Sequence, residues 1–311
     1  MDVRRFLLSL KGVFFIVGPT ATGKSEIAAD VAAELDAEIV SADAFQIYRG
    51  LDLLTAKPDT GTLAKVSHHL IGTMSIRDEM SAAKFRERAL VAISEIHSRG
   101  KLAIVVGGSG LYIKALTHGL STAPAADPDL RARLNELSLH DLQNKLLKLD
   151  PKAASRIDLR NRRRLVRAIE ICLLSDQKIS GQRKEWESNV GTNGVFVFRQ
   201  RDELYERIDR RVEAMFQDGV IEEARNAGAM SETASKMIGL CEIRKLLDGK
   251  MSIPQCVAAI QQATRRYAKR QLTWFRRQTN FHSLNLSLLT HVEAVEWISQ
   301  RARLARAQGN V

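Results

Sequence analysis

The sequence predicts an α/β fold, a parallel sheet flanked by helices and interrupted by a helical insertion domain. Three observations predict it. Over roughly the first 115 residues, short apolar runs alternate with helical patterns, the order that builds a parallel sheet covered on both faces. Residues 18–25 read Gly-Pro-Thr-Ala-Thr-Gly-Lys-Ser, the pattern G-x-x-x-x-G-K-[ST], directly behind the apolar run Val13–Val17 and ahead of a helical pattern. Beyond Gly119 the character changes, and helical patterns dominate 129–186 with little that reads as strand.

Taken in order, Val13–Val17 is a buried strand and Glu26–Leu35 the helix after the glycine-rich turn, the arrangement of a P-loop NTPase-like core. Ala37–Ser41 is a second short strand. Ala82–His97 places Phe85, Ala89, Ile93 and Ile96 on one helical face and stops at Gly100. Lys101–Val106 is a buried strand closed by Gly107-Gly108-Ser109-Gly110. Ala123-Pro124 and Asp127-Pro128 punctuate a linker. Val195–Phe198 returns to the sheet, Leu204–Phe216 is an amphipathic helix ending at Gly219, and helices continue at 220–227, 235–248 and 254–275. The expected division is a P-loop core with C-terminal helices over 1–120 and 191–311, and a helical insertion over 121–190.

With 47 basic against 36 acidic residues the chain carries a net charge of +11, which favours a polyanionic partner. The charge is clustered. Arg160, Arg162, Arg163, Arg164 and Arg167 fall together, as do Arg265, Arg266, Lys269, Arg270, Arg276 and Arg277, the latter interleaved with Tyr267, Trp274 and Phe275. The longest apolar stretches are strand-sized, so no membrane partner is expected. The start, Met1–Leu8, faintly resembles a signal peptide but is followed by Lys11 without a cleavage site. Cys172, Cys241 and Cys256 are scattered, as reduced thiols of a cytoplasmic protein would be.

The glycine-rich segment is where chemistry is expected first. Gly18, Pro19, Thr20, Ala21, Thr22 and Gly23 would curl so that backbone N–H groups cradle phosphate oxygens, helped by the helix dipole. Lys24 would reach the terminal phosphates, and the Ser25 hydroxyl would ligate Mg²⁺. Whether the phosphate is transferred, hydrolysed or expelled is left open by the motif. Asp43 follows the second strand at the same rim, either as a base or Mg²⁺ contact or as a turn-capping carboxylate. The turn Gly107–Tyr112 brings Ser109 there too. Leu102–Val106 ends without the acid of a Walker B strand, which weakens a hydrolytic reading. Arg207, Arg210 and Arg211 lie on the Leu204–Phe216 helix, with Arg207 and Arg211 on one face; one of them would clamp a departing phosphate, or all three complement Glu203, Glu206 and Asp209. His68-His69 lacks nearby ligand partners and reads as structural.

In series, Gly18–Ser25, Ser41-Ala42-Asp43, Gln46–Asp52, Thr55-Ala56-Lys57-Pro58, His68–Ile71, Gly107–Tyr112, Arg163–Glu170, Leu204–Val212 and Thr264–Arg276 resemble the bacterial tRNA dimethylallyltransferases, over about residues 12–277. That family moves a dimethylallyl group from dimethylallyl diphosphate to N6 of adenosine 37 in tRNAs reading codons that begin with U. The resemblance implies Asp43 as the base toward the adenine amine. Lys24, with Mg²⁺ on Ser25, would neutralise the leaving diphosphate, and Arg207 would assist on that side. It also implies tRNA anticodon stem-loop contacts at Asp43, Ala44, Phe45 and Gln46, at Ser109 and Arg131, at Arg163, Arg164, Leu165, Val166 and Arg167, and at Met237, Ile238, Gly239, Leu240, Cys241 and Glu242. A cytoplasmic monomer is expected. Departures from the family pattern are Ala44 for Ser, Leu53-Leu54 for Ile-Gly, Val66-Ser67 where Pro is usual, Gly72 for Asp, and Leu240-Cys241 for Tyr-Lys. The competing readings are a free-adenylate isopentenyltransferase, a small-molecule P-loop kinase using ATP, and a non-catalytic RNA-binding protein.

Overall fold

A computed structural model describes residues 10, 12–120, 123–124, 127–175, 180, 193–278 and 280–309. In chain order the elements begin β1 (Val13–Val17), α1 (Lys24–Glu34), β2 (Ala37–Ser41), α2 (Thr60–Lys65), β3 (His68–His69), α3 (Ala82–Ser98), β4 (Leu102–Gly107) and α4 (Gly110–Thr117). Four helices follow: α5 (Pro128–Glu136), α6 (Leu139–Leu149), α7 (Pro151–Ala154) and α8 (Arg162–Ser175). Then come β5 (Asn193–Phe198), α9 (Arg201–Gln217), α10 (Val220–Asn226), α11 (Leu240–Leu247), α12 (Ile253–Gln278), β6 (His282–Asn285) and α13 (His291–Gly309). The chain divides into two compact units, one of residues 1–117 with 190–311, the other of residues 118–189.

In the first unit six parallel strands are ordered β3-β2-β4-β1-β5-β6. β1, β2 and β4 are buried along their whole length, and this double-sided burial is why β1 and β4 read as unbroken apolar runs. Successive residues point to opposite faces. Phe15, Val17, Val105 and Phe196 join one core, with Phe85 and Ile93 of α3, Ile208 of α9 and Phe275 of α12. Phe14, Ile16, Ile104 and Val195 join the other, with Ala28 and Ala32 of α1 and Ala294, Ile298 and Ala302 of α13. The register pairs Val17 with Gly107 and Phe196, and Ser41 with Val106. The carboxyl ends of β1, β2, β4 and β5 therefore lie level, and the loops after them share one edge of the sheet.

Several elements differ from expectation. α1 starts at Lys24 rather than Glu26, because Gly23 takes the left-handed conformation (φ 88°) and turns the chain straight into the helix. The single helix expected over 235–248 is broken. A short 3₁₀ turn, Ala234–Lys236, precedes left-handed Gly239 (φ 93°), and α11 begins after it. β3 has two half-buried histidines, and β6 buries only Leu284, so neither carries an apolar run. α13 packs through a stripe that includes three alanines, a residue that marks hydrophobic periodicity weakly.

The second unit packs its helices around Leu134, Leu142, Leu146, Leu165 and Ile169. Asp127-Pro128, expected as a linker, is instead the start of α5. The Asp127 carboxylate accepts from Asp129 N and Leu130 N, both at 2.9 Å, and Pro128 occupies the first turn. Glu170 is fully buried. It accepts two hydrogen bonds from Arg131, at 3.0 and 2.6 Å, and one from Arg167 at 3.3 Å. The expected helical stretch beyond Ser175, and the start Met1–Leu8, lie outside the described residues apart from Ser180.

Glu38 on β2 fastens the sheet edge. It accepts from Arg99 at 3.1 and 2.7 Å and faces His69 of β3 at 2.8 Å. The hydrogen bonds from Arg99 foremost, then from His69, lower its pKa from 4.5 to about 2 against the opposing effect of burial. A carboxylate whose folded pKa is depressed stabilises the fold above its unfolded value and loses that contribution as pH falls through the folded one. Glu38→Gln should therefore be less stable than wild type at pH 7, with the gap in urea midpoint closing between about pH 4.5 and 2. An equal gap at both pH values would locate the acid sensitivity elsewhere.

Candidate active site

Gly18 follows β1 where a Cβ would lie 2.2 Å from Val197 O, so no side chain fits. The loop then curls through Ala21 (φ 64°) and Gly23, both left-handed. Two of its carbonyls and one hydroxyl are held from outside. Arg207 Nε donates to Ala21 O and Arg199 Nε to Thr22 O, both at 2.9 Å, and Arg211 Nη2 donates to Thr20 Oγ1 at 2.9 Å. The first amides of α1 have no intrahelical acceptor, and with the helix dipole they form an anion site.

The cations at this edge are desolvated. Lys24 is lowered from 10.5 to about 8 chiefly by burial, with Asp43 opposing and Arg211 adding. Burial likewise lowers Arg211 to about 10, and its Nε is buried with no hydrogen-bond partner. Arg207 is lowered by burial and by Arg199. An orphaned donor among buried cations fits a multiply charged anion. Ser25 lines the same hollow and its hydroxyl makes no hydrogen bond among the described residues, so it could serve as a ligand to a divalent cation. Among the described residues no group of three or more His, Cys, Asp or Glu could hold a metal unaided.

Asp43 follows β2 across the hollow. Its Oδ1 accepts from Phe45 N at 2.9 Å and Gln46 N at 3.3 Å, so the expected turn cap is present, and it occupies one oxygen only. Ser109 Oγ accepts from Ala44 N at 2.9 Å and also bonds the Tyr267 hydroxyl. Burial foremost, then Asp43, raises the Tyr267 phenol. Buried Gln271 of α12 joins the two glycine turns: Thr20 N donates to its Oε1 at 3.0 Å, and its Nε2 donates to Gly108 O at 2.8 Å.

The segment after Asp43 is strained and clamped. Leu51 and Ala56 are left-handed (φ 55° and 49°). Leu53 N and Leu54 N both donate to Glu223 at 2.9 Å. Lys57 Nζ donates to Tyr48 O at 2.6 Å and Gly50 O at 3.1 Å and pairs with Asp52. This loop forms one wall of a largely apolar cavity that begins at Thr20, Asp43 and Arg211. Phe45, Leu54, Val212, Met215, Phe216, Met237, Ile243 and Ile260 line its depth.

The structure thus brings together Gly18–Ser25, Asp43, Ser109 and Arg207, and Arg210, paired with Glu206 at 3.1 Å, lies on the wall of the same hollow. The sequence offered Arg211 only as one of several candidate phosphate clamps and missed Arg199, Tyr267 and Gln271; the Thr264–Arg276 run contains the last two. Several side chains expected to meet RNA do not reach the surface. Leu165 and Val166 belong to the core of the second unit, and Met237 and Leu240 to that of the first. Ile238 lines the apolar cavity. Arg131 and Arg167 are engaged by Glu170, whereas Arg163, Arg164 and Cys241 are exposed. His69 is structural as expected, held by Glu38, and His68 Nδ1 donates to Val66 O at 2.8 Å.

The family model described as IPP transferase matches residues 46–278. This chain belongs to the IPP transferase family. It is 42% identical over 264 residues to a tRNA dimethylallyltransferase of Akkermansia muciniphila, covering 85% of this chain and 90% of that one. It is 42% identical over 279 residues to tRNA dimethylallyltransferase 1 of Citrifermentans bemidjiense, covering 88% and 91%. The crystal structure of the tRNA isopentenylpyrophosphate transferase of Bacillus halodurans superposes with TM-score 0.71 at 34% identity, covering 96% of this chain and 98% of that one. A eukaryotic dimethylallyltransferase structure, 23% identical with TM-score 0.78, shares the fold.

Lys24 gives the site a pH signature. Below about 8 it is an ammonium that binds a polyanion, and above that value it loses its charge. Lys24→Met should weaken pyrophosphate binding about tenfold at pH 7, and the gap to wild type should narrow as pH rises above 8. Because a bound anion raises the lysine pKa, the narrowing starts above the free-protein value. Calorimetric titration at pH 7 and pH 9 reads it, and a constant gap would remove Lys24 from the anion site.

Proposed function

We propose that this chain is a tRNA dimethylallyltransferase that moves the dimethylallyl group of dimethylallyl diphosphate to N6 of adenosine 37, in tRNAs reading codons that begin with U. One observation carries the choice of donor. The phosphate cradle opens onto a mainly apolar cavity, whose Phe45, Leu54, Met215 and Phe216 suit a hydrocarbon tail, with Thr55, Thr264 and Tyr267 as the polar groups on its wall. The absence of an acid on β4 agrees with a phosphate that is released rather than attacked.

In this reading the loop amides, Lys24, Arg207 and Arg211 bind the diphosphate, and charge that grows on it in the transition state meets donors already in place. The adenine amine attacks C1 of the allyl group. The C1–O bond breaks with its electron pair going to the diphosphate, and the N6 proton passes to Asp43. Phe45 N and Gln46 N hold the Asp43 carboxylate through one oxygen, and Ser109 braces the next peptide at Ala44. Mg²⁺, held by Ser25 and the diphosphate itself, would add charge neutralisation on the leaving side. Flipping the acceptor base out of an anticodon loop costs less than extracting it from a duplex. Exposed Arg163 and Arg164 of the helical unit are suited to the tRNA backbone.

The test is transfer of radiolabel from dimethylallyl diphosphate, with Mg²⁺, to unmodified tRNA or to AMP. Label in tRNA at the adenosine 3′ of the anticodon is expected. Label in AMP alone, or ATP turnover without prenyl transfer, would overturn the reading. Asp43→Ala should lower transfer about 10³-fold while tRNA affinity stays within a few-fold of wild type. Activity surviving near the wild-type level would remove Asp43 as the base.

A further inference from the structure

We propose that the outward face of α12 is a nucleotide-stacking platform, on which Trp274 receives one unpaired RNA base other than the acceptor while the surrounding cations hold its flanking phosphates. This rests on RNA being the substrate, as argued above. The helix has two faces. Thr264, Tyr267 and Gln271 turn to the reaction edge, whereas Arg266, Lys269, Arg270 and Arg277 are exposed.

Trp274 sits between these faces. A Cβ on Gly110 would lie 2.5 to 2.8 Å from three atoms of the indole, so one face of the ring rests directly on that glycine's backbone. Phe275 meets the indole edge-on, with centroids 5.0 Å apart and an interplanar angle of 86°. The ring is thus fixed in orientation, and what remains of it forms the apolar wall of a shallow hollow rimmed by the four cations and Thr273.

None of these four cations has an acidic partner among the described residues, while neighbouring Arg265 is paired with Asp209 and Arg210 with Glu206. Like charges crowded on one helix face repel one another, and a polyanion relieves that repulsion. A fixed aromatic face inside a cationic rim is the arrangement that binds single-stranded nucleic acid, the base by stacking and the phosphates by charge. Tyr267, beside Asp43, and Trp274 are separated by about 10 Å along the helix. The stacked base therefore lies close in the strand to the one that enters the reaction cavity.

The experiment measures affinity for an anticodon stem-loop RNA and for the same RNA carrying single abasic nucleotides on either side of the acceptor adenosine. For wild type, one abasic position should weaken binding about tenfold. Trp274→Ala should weaken binding to the intact RNA by a similar factor and become indifferent to that position, with Trp274→Phe restoring most of both. Arg266→Ala and Arg277→Ala should weaken every RNA equally and each reduce the salt slope by about one. Pyrophosphate affinity, unchanged in Trp274→Ala, checks the fold. Wild-type indifference to every abasic position would overturn the proposal, as would losses from Trp274→Ala and the abasic site that simply multiply. A wild-type protein that does not bind the intact stem-loop would instead sink the RNA reading on which the proposal stands.

Discussion

A loop that offers its amides to an anion must dispose of its carbonyls, and the active edge of this protein is organised around that constraint. Arg199, just beyond β5, takes the carbonyl of Thr22 and Arg207 of α9 that of Ala21, while Arg211 of α9 takes the Thr20 hydroxyl and Gln271 the amide of Thr20. The arginines therefore act twice. They hold the backbone in a left-handed curl that would otherwise relax, and they leave positive charge at the loop's rim. Level strand ends make this possible, because β5 runs beside β1 and delivers Arg199 next to the curl.

The same economy explains why burial of cations is tolerated here. Lys24 and Arg211 are depressed by desolvation, which in a purely structural setting would be a loss with nothing to offset it. Asp43 is the acid that opposes both shifts, yet it spends one oxygen on its own turn rather than on a salt bridge. A carboxylate kept out of direct pairing remains available to a substrate. In the second unit the opposite choice is made. Buried Glu170 consumes both Arg131 and Arg167, so the surface charge of that unit falls to residues such as Arg163 and Arg164.

How much of this was legible in the sequence follows from the range over which each interaction acts. β1 and β4 were legible because burial on both faces leaves an unbroken apolar run. Gly18–Ser25 and Asp43 were legible because their chemistry is local to a strand end. Arg199 and Gln271 were not, since their partners lie 177 and 251 positions away. β3 and β6 escaped because edge strands need little apolar sequence. Met237 and Leu240 show a different failure: a matched motif identifies a segment, but only packing decides which of its side chains face a ligand and which face the core.

α12 shows how one element can serve several ends. Ala268 and Phe275 anchor it in the core, Gln271 ties the two glycine turns, and Tyr267 reaches Ser109 behind the Asp43 turn. With these positions fixed by a 3.6-residue period, the remaining side chains of the same turns project to solvent. There the sequence places cations around an immobilised indole. A rigid helix that grips the catalytic loops on one side and presents a binding surface on the other sets the distance between them. RNA bound along its outer face would consequently be measured against Asp43 by the helix itself rather than by a flexible loop. The density of aromatic and basic residues in Thr264–Arg276 is then a consequence of two faces sharing one rod.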